Sequence, residues 1–346
     1  MTLETTEQII PLLSLCVPTY KRPALLETSL CAILAQIEPW MTTQVEVSVF
    51  DNASPDETPA VVARMQREFP DVPLRSVRHS DNIGPDPNFY GAIREARGRF
   101  VLLISDDDIL LPGAVAKLLE LIVAYPDFDA FALNIRRFEN DPSEEDARPV
   151  FVFSEDHVVQ DRDQALTLLH THFGFLSCIA FRRENIAGKD YSDKIGTLII
   201  HSFLFLDALA PARGLCATSR VYLAQRADNA GGFDFFRVIV TNYHALMQYA
   251  LQVGYSSQAV HYVLDRHLDF VHHCIVTFKS KGIGTLRPRY GDGIVRLLRA
   301  FGPRPLVLLV LIPKMLLPRP IYSLLKRVKA LSGHGAAALA SQEKMP

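Results

Sequence analysis

Residues 100–114, FVLLISDDDILLPGA, place three consecutive carboxylates, Asp106, Asp107 and Asp108, directly behind an apolar run. Like charges this close repel, and removal from water raises the cost. A hard divalent cation with oxygen ligands relieves both. Mg²⁺ or Mn²⁺ commonly takes one or two carboxylates and completes its shell with water and phosphate oxygens. Capping the helix expected at residue 112 would use one aspartate, since a helix N-terminus favours negative charge, but not three. Two other polar clusters stand out: Pro18, Thr19, Tyr20, Lys21 and Arg22; and Asp51, Asn52, Ala53 and Ser54. The second also has the composition of an Asx turn.

Each cluster follows an expected strand. The pattern predicts strands over 12–18, 45–50, 74–79, 99–105 and 128–135. Helices are predicted over 22–36, 54–69, 86–97 and 112–125. Ser54 and the acids after it read as a helix start, and Gly98 as a helix stop. Repeated strand–helix units imply an α/β fold with a mostly parallel sheet flanked by helices. Ligands in such sheets bind beyond the carboxyl ends of the strands. The three clusters are therefore expected to form one site. After residue 140 the pattern loosens, with a strand expected over 174–183, a helix over 196–210 and helices from about 233 onward. This divides the chain into a catalytic domain, 1–225, and a helical region, 226–346, whose small-residue tail is expected to be disordered.

Composition narrows the function. The chain has 346 residues, 49% apolar and 21% charged, with a formal net charge of −2. No whole-molecule field favours nucleic acid. Five scattered cysteines without CxxC spacing suggest neither a disulfide framework nor zinc, and fit a reducing cytoplasm. The N-terminus lacks the pattern of a signal peptide. Neither GxGxxG after the first strand nor GxxxxGK[ST] occurs, which argues against a dinucleotide fold and a P-loop. His170 and His172, and His272 and His273, lack further partners at metal-site spacing and read as structural. Residues 303–331 alternate short apolar runs with arginine and lysine, broken by prolines. The segment fits either a helix packed on the rest of the chain or an interfacial anchor on an anionic membrane surface.

The stretches LSLCVPTYKRPALLETSLCAI, VEVSVFDNASPDETPAVV and RHSDNIGPDPNFYGAIREARGRFVLLISDDDIL resemble, in order, the N-terminal half of family 2 glycosyltransferases with the GT-A fold. The forms SDDDIL and DNIGPDPNF further resemble bacterial O-antigen sugar transferases of the abequosyltransferase type. The resemblance implies a nucleoside-diphosphate sugar donor and a lipid-linked saccharide acceptor. It also implies Mg²⁺ or Mn²⁺ and a cytoplasmic position on the inner face of the membrane. By the same resemblance Pro18, Thr19 and Tyr20 would line the nucleotide pocket and Arg22 would approach phosphate. Asp51 would bind the base, with Asn52 and Ser54 shaping its loop. Asn82, Gly84 and Asn88 would lie beside nucleotide or sugar, although Asn82 to Gly84 also reads as a structural turn. Asp106 to Asp108 would be the DxD motif, with Asp106 and Asp108 on metal and Asp106 and Asp107 toward the donor. Many relatives read D-x-D-D-I; Ser105 occupies the first acid's place here.

Inversion at a sugar needs a base for the acceptor hydroxyl. Relatives commonly supply it from a Glu-Asp pair, which is absent from IGTLIIHSFLFLDAL. His201 is the candidate there, then Asp207, with Asp228 third. A lone histidine in an apolar segment also fits a core position. Two rival readings stand beside glycosyl transfer: a nucleotidyltransferase, for which PTYKRP is poor in glycine, and a catalytically silent nucleotide-sugar-binding scaffold, which the missing Glu-Asp pair favours.

Overall fold

The computed structural model describes residues 10–138, 142, 149–227, 232–280 and 289–331. The chain forms two compact units. One comprises Met1–Ala165 with His172–Ala227, the other Leu166–Thr171 with Asp228–Pro346.

The first unit is built on one sheet. Its first half runs β1 (Leu13–Thr19), α1 (Pro23–Leu34), β2 (Val45–Asp51), α2 (Thr58–Glu68), β3 (Leu74–Arg78), α3 (Pro85–Glu95) and β4 (Phe100–Leu103). β5 (Ile109–Leu110), α4 (Ala114–Ala124), β6 (Ala130–Phe138) and β7 (His157–Val159) follow. α5 (Arg162–Leu169) leads to β8 (Ile179–Arg182), α6 (Ile200–Leu209) and β9 (Leu215–Arg226). Every residue of β1, β2 and β4 is buried. In β4 that matches the lack of alternation, because a parallel sheet covered on both faces needs apolar residues on each, whereas β1 and β2 bury Ser14, Glu46 and Ser48 among their apolar residues.

The strand order is β3-β2-β1-β4-β8-β6-β9-β5, with β7 beside β9. β3, β2, β1 and β4 are parallel. Their register decides where the polar clusters go. Thr19 pairs with Asp51, and Asp51 with Arg78. The Ile104 amide donates to Cys16 at 2.8 Å, carrying β4 past its last ladder residue toward the same rim. β8 enters antiparallel between β4 and β6. The strand expected next after β4 therefore does not lie next to it.

Two local expectations are corrected. Ser54 does not cap α2. That helix starts at Thr58, whose amide and hydroxyl donate to Asp56 at 3.1 and 2.6 Å. Gly98 does not stop α3, which ends at Glu95. It is needed because a β-carbon there would lie 2.6 Å from the backbone nitrogen and hydroxyl of Ser14. The Gly98 amide donates to that hydroxyl, which in turn donates to buried Glu46 at 2.6 Å.

The second unit is helical. A π-helical segment, Phe236–Asn242, runs into α7 (Tyr243–Gln252), followed by α8 (Ser257–Ser280) and α9 (Tyr290–Phe301). A second π-helical segment, Leu306–Leu311, continues as α10 (Ile312–Leu316), and α11 spans Arg319–Leu331. Widened turns leave carbonyls to satisfy. His267 Nε2 donates to the Ile239 carbonyl at 2.5 Å, its ring stacked 3.5 Å from Tyr243. Among the described residues no single helix is long and apolar enough to cross a membrane, but Leu306–Leu316 and Arg319–Leu325 form an apolar pair bent by 115°. Lys279 on α8 stands at that bend, donating to the carbonyls of Met315 at 2.8 Å and Leu317 at 2.7 Å. The tail from residue 332 and Asp228 lie outside the described residues.

Candidate active site

The acidic triplet follows the end of β4, and all three carboxylates are buried. Asp106 accepts the Thr19 hydroxyl at 2.7 Å and Arg22 Nη1 at 3.1 Å. The same guanidinium nitrogen lies 3.6 Å from Asp107 Oδ2. One cation from the β1 end thus serves two adjacent carboxylates at the β4 end. Asp107 also accepts the Ser105 hydroxyl. Asp108, expected as a metal contact, faces the protein: Oδ2 accepts Ser177 Oγ at 2.6 Å and Oδ1 the Arg226 amide at 3.2 Å. Burial, then repulsion from Asp107, pushes Asp108 up to about 7. Asp106 is raised mainly by burial, with Arg22 and Thr19 opposing.

A second cluster is clasped to the first. Asp51 Oδ1 accepts the Ser54 amide at 2.9 Å. Its Oδ2 has no hydrogen-bond partner of good geometry but forms an ion pair with Arg78 Nε at 3.2 Å. Arg78 also donates to the Ser54 carbonyl at 2.9 Å, and the Lys21 amide donates to Ser54 Oγ at 2.9 Å. Lys21 and Ala53, one on each loop, both have φ of 58°, a left-handed conformation that costs non-glycine residues energy. Such strain collects at functional sites.

The DNIGPDPNF residues reinforce these loops. Asn52 donates to Asn82 Oδ1 at 3.0 Å and to the Gly84 carbonyl at 3.1 Å, and accepts the Ile83 amide at 2.9 Å. Asn88 donates to the Phe50 carbonyl at 3.0 Å and lies 3.0 Å from His79 Nε2. The Tyr20 hydroxyl is held below its ordinary value by hydrogen bonds with Asn82 and Lys21. Pro18, on buried β1, pairs with Phe50. The structure therefore brings Thr19, Arg22, Asp51, Asn52, Ser54, Asn82, Gly84 and Asp106 to Asp108 to one rim.

The candidate bases are placed differently. His201, in the first turn of α6, is 4% exposed. Its Nε2 lies 3.2 Å from the Gly174 carbonyl, and its ring meets Phe89 and Phe205 edge-on. Nδ1 has no partner, and burial lowers the imidazole to about 4, so it is neutral near pH 7. Asp207 is buried, with Lys189 Nζ and the Tyr191 hydroxyl each 2.6 Å from its carboxylate. That arrangement is one of charge balance in the core.

Sequence reasoning missed Arg78, Ser177 and Arg226. Arg78 ends a strand expected over 74–79, so its place at the rim was readable. Ser177 and Arg226 arrive from the second half of the unit and carry no local motif.

Residues 14–187 match the family model described as glycosyl transferase family 2. The chain belongs to this family. It is a family 2 glycosyltransferase with a GT-A sheet flanked by helices. It is 32% identical over 105 residues to abequosyltransferase RfbV of Salmonella typhimurium, covering 30% of this chain and 31% of that protein. It is 32% identical over 111 residues to the GalNAc(5)-diNAcBac-PP-undecaprenol beta-1,3-glucosyltransferase of Campylobacter jejuni, covering 32% and 34%. These alignments span about a third of each relative's length. Residues 1–349 of S. aureus TarS in complex with UDP-GlcNAc superpose with a TM-score of 0.58 at 18% identity, covering 82% of this chain and 81% of that one. The mannosyltransferase PcManGT from Pyrobaculum calidifontis, in complex with GDP-Man and Mn²⁺, gives 0.53 at 18%, covering 90% and 83%. At such identity the likeness is one of fold.

Proposed function

We propose that this family 2 glycosyltransferase moves a sugar, with inversion, from a nucleoside-diphosphate sugar to a lipid-linked glycan of the O-antigen type. Its reaction centre is the rim of the first unit. The observation that carries this reading is Arg22, a cation from the β1 end shared by Asp106 and Asp107 from the β4 end. The rim already gathers acidic oxygens around one positive charge. A donor diphosphate brings negative charge and needs both a cation and basic side chains to meet it.

The residues suit a divalent cation. Their oxygens are hard ligands, and the Arg22 guanidinium marks where positive charge is stable. Among the described residues no three His, Cys, Asp or Glu side chains are grouped to hold a metal by themselves. The donor's phosphate oxygens would complete the shell. Asp106 and Asp107 would hold Mg²⁺ or Mn²⁺, while Asp108, engaged by Ser177 and Arg226, would brace the loop. Bound there, the ion would neutralise charge on the departing diphosphate.

In this reading Asp51 and the loop built by Asn52 and Ser54 receive the nucleotide base, beside Tyr20. Thr19 and Arg22 orient the diphosphate end. The acceptor oxygen bonds to the anomeric carbon as the bond to diphosphate breaks, and its proton passes to a base. His201 offers a neutral imidazole whose Nδ1 lone pair has no hydrogen-bond partner but is buried. Asp207 is less suited, because Lys189 and Tyr191 stabilise its charge where it is.

Membrane association belongs to the second unit. Leu309 is 75% exposed, Leu316 67% and Leu324 61%, along the bent pair. Basic residues stand among these leucines in the sequence. Apolar side chains flanked by cations suit an anionic bilayer surface, which supports a peripheral position on the cytoplasmic face.

A panel of UDP-, GDP-, CDP- and dTDP-sugars, each tested with and without Mn²⁺ for thermal stabilisation, addresses the central reading. A ligand that binds the native state raises the melting temperature. No stabilisation by any donor would remove it. The silent-scaffold reading draws on the burial of both candidate bases; it predicts donor binding without hydrolysis or transfer.

A further inference from the structure

Asp86, the second residue of α3, is buried. Oδ2 accepts the backbone amides of Gly196 and Leu198 at 2.8 Å each, and Oδ1 that of Ile200 at 3.4 Å. These amides form the turn into α6, more than a hundred residues later in the chain. A helix N-terminus ordinarily takes its cap from an adjacent residue. Ile199, at the cap position of α6, supplies no side-chain hydrogen bond. The carboxylate from α3 does that job across the fold.

The turn it holds is strained. Gly196 has φ of 93° and Leu198 φ of 63°. A left-handed leucine persists only where its surroundings over-determine it. Other residues of α3 reach the same segment. The Tyr90 hydroxyl donates to the Lys189 carbonyl at 3.1 Å, its ring meets Tyr191 edge-on at 5.6 Å, and Phe89 meets His201 at 6.2 Å. At this same N-terminal end α3 starts directly after Gly84, which lies two residues before Asp86 and is clasped by Asn52 and Asn82. One short helix therefore touches both the donor-side loops and the turn that opens α6.

We propose that Asp86 is a positioning residue for the acceptor: by holding the turn 196–200 it sets His201 and the start of α6 against the donor loops, so that the acceptor hydroxyl rather than water meets the anomeric carbon. The inference rests on the glycosyl-transfer reading. Asp86 touches none of the reacting atoms. In transfer the acceptor oxygen bonds to the anomeric carbon, the electron pair of the broken bond leaves with diphosphate, and the hydroxyl proton goes to the base. Water attacking the same carbon breaks the same bond and gives free sugar. A loosened turn shifts the partition from the first outcome to the second.

The test uses the full chain, wild type and Asp86→Asn, with the donor that the thermal panel selects, radiolabelled in its sugar. Three quantities are read: nucleotide affinity, label released as free sugar, and label moved into organic-extractable lipid of membranes from the producing cells. In Asp86→Asn the dissociation constant for the nucleotide should stay within about twofold. Hydrolysis should persist while transfer falls by about tenfold or more, the scale on which misplacement of reactants acts. Hydrogen exchange should quicken at the amides of 196, 198 and 200. Leu198→Gly in the same chain, which removes the left-handed penalty, should restore part of the transfer. If Asp86→Asn does not accumulate, the comparison is made between Leu198→Gly and the double variant. Equal loss of hydrolysis and transfer, or undiminished transfer, overturns the positioning role. A wild-type chain that binds no donor, and neither hydrolyses nor transfers, overturns the glycosyl-transfer reading and this inference with it; the wild-type arm tells the two failures apart.

Discussion

Asp108→Asn separates a bracing carboxylate from a metal ligand. Asp108 is 5% exposed, and burial with Asp107 beside it raises its carboxyl from 3.8 to about 7. The folded state thus holds this proton more tightly than the unfolded chain. The stability it contributes is fully present below the unfolded value of 3.8 and is lost as pH rises to about 7. At about 1.4 kcal/mol per unit, three units amount to roughly 4 kcal/mol. Relaxation and water penetration reduce such penalties, so about 2 kcal/mol is expected between pH 4 and 7. At about 2–4 °C per kcal/mol for a unit of this size, the melting temperature of metal-free wild type should fall by about 4–8 °C relative to the variant. Asparagine keeps the shape, can accept the Arg226 amide through its oxygen, and can donate to the Ser177 hydroxyl. Other titrating groups are common to both proteins and largely cancel in the difference. The assay is thermal melting from pH 4 to 8, without divalent ions and then with Mn²⁺ plus donor. Parallel curves for the two proteins would refute the burial argument. Loss of Mn²⁺-dependent stabilisation in Asp108→Asn would refute its bracing role and return it to the metal.

Asp106→Asn and Asp107→Asn should each abolish Mn²⁺-dependent stabilisation by the donor and lower turnover by about 10²-fold or more, measured as sugar release under saturating donor. His201→Ala should lower transfer far more than nucleotide affinity; transfer near the wild-type rate removes it as the base. Gly98→Ala drives a methyl group into Ser14 and should cost about 1–3 kcal/mol, read as a lower denaturation midpoint with unchanged slope. Leu309→Glu with Leu324→Glu places charge on exposed apolar positions of the bent pair and should weaken sedimentation with anionic vesicles, leaving donor affinity as it was.

The strand–helix alternation up to residue 135 was legible because local patterning and burial agree there. β4 is covered on both faces and its sequence is an unbroken apolar run, while β1 and β2 are buried throughout although Ser14, Glu46 and Ser48 interrupt them. The clusters at their ends were legible for the same reason: parallel register carries Thr19, Asp51 and the triplet to one rim. Side-chain direction was not legible. Three adjacent aspartates look equivalent in sequence, yet Asp106 and Asp107 face Arg22 while Asp108 turns to Ser177 and the Arg226 amide. Ser54 had the look of a helix cap and is instead a latch between loops.

The amino-acid sequence alone determined the fold class, the family and the rim where charge collects, since hydrophobic period and residue type are local properties of the chain. Only the tertiary structure decided that β8 slips between β4 and β6, that His201 is sealed among aromatic rings, and that Asp86 caps a helix more than a hundred residues further along the chain. Each of these depends on groups that meet across long separations in the chain, and no local pattern records which distant amide a buried carboxylate will find.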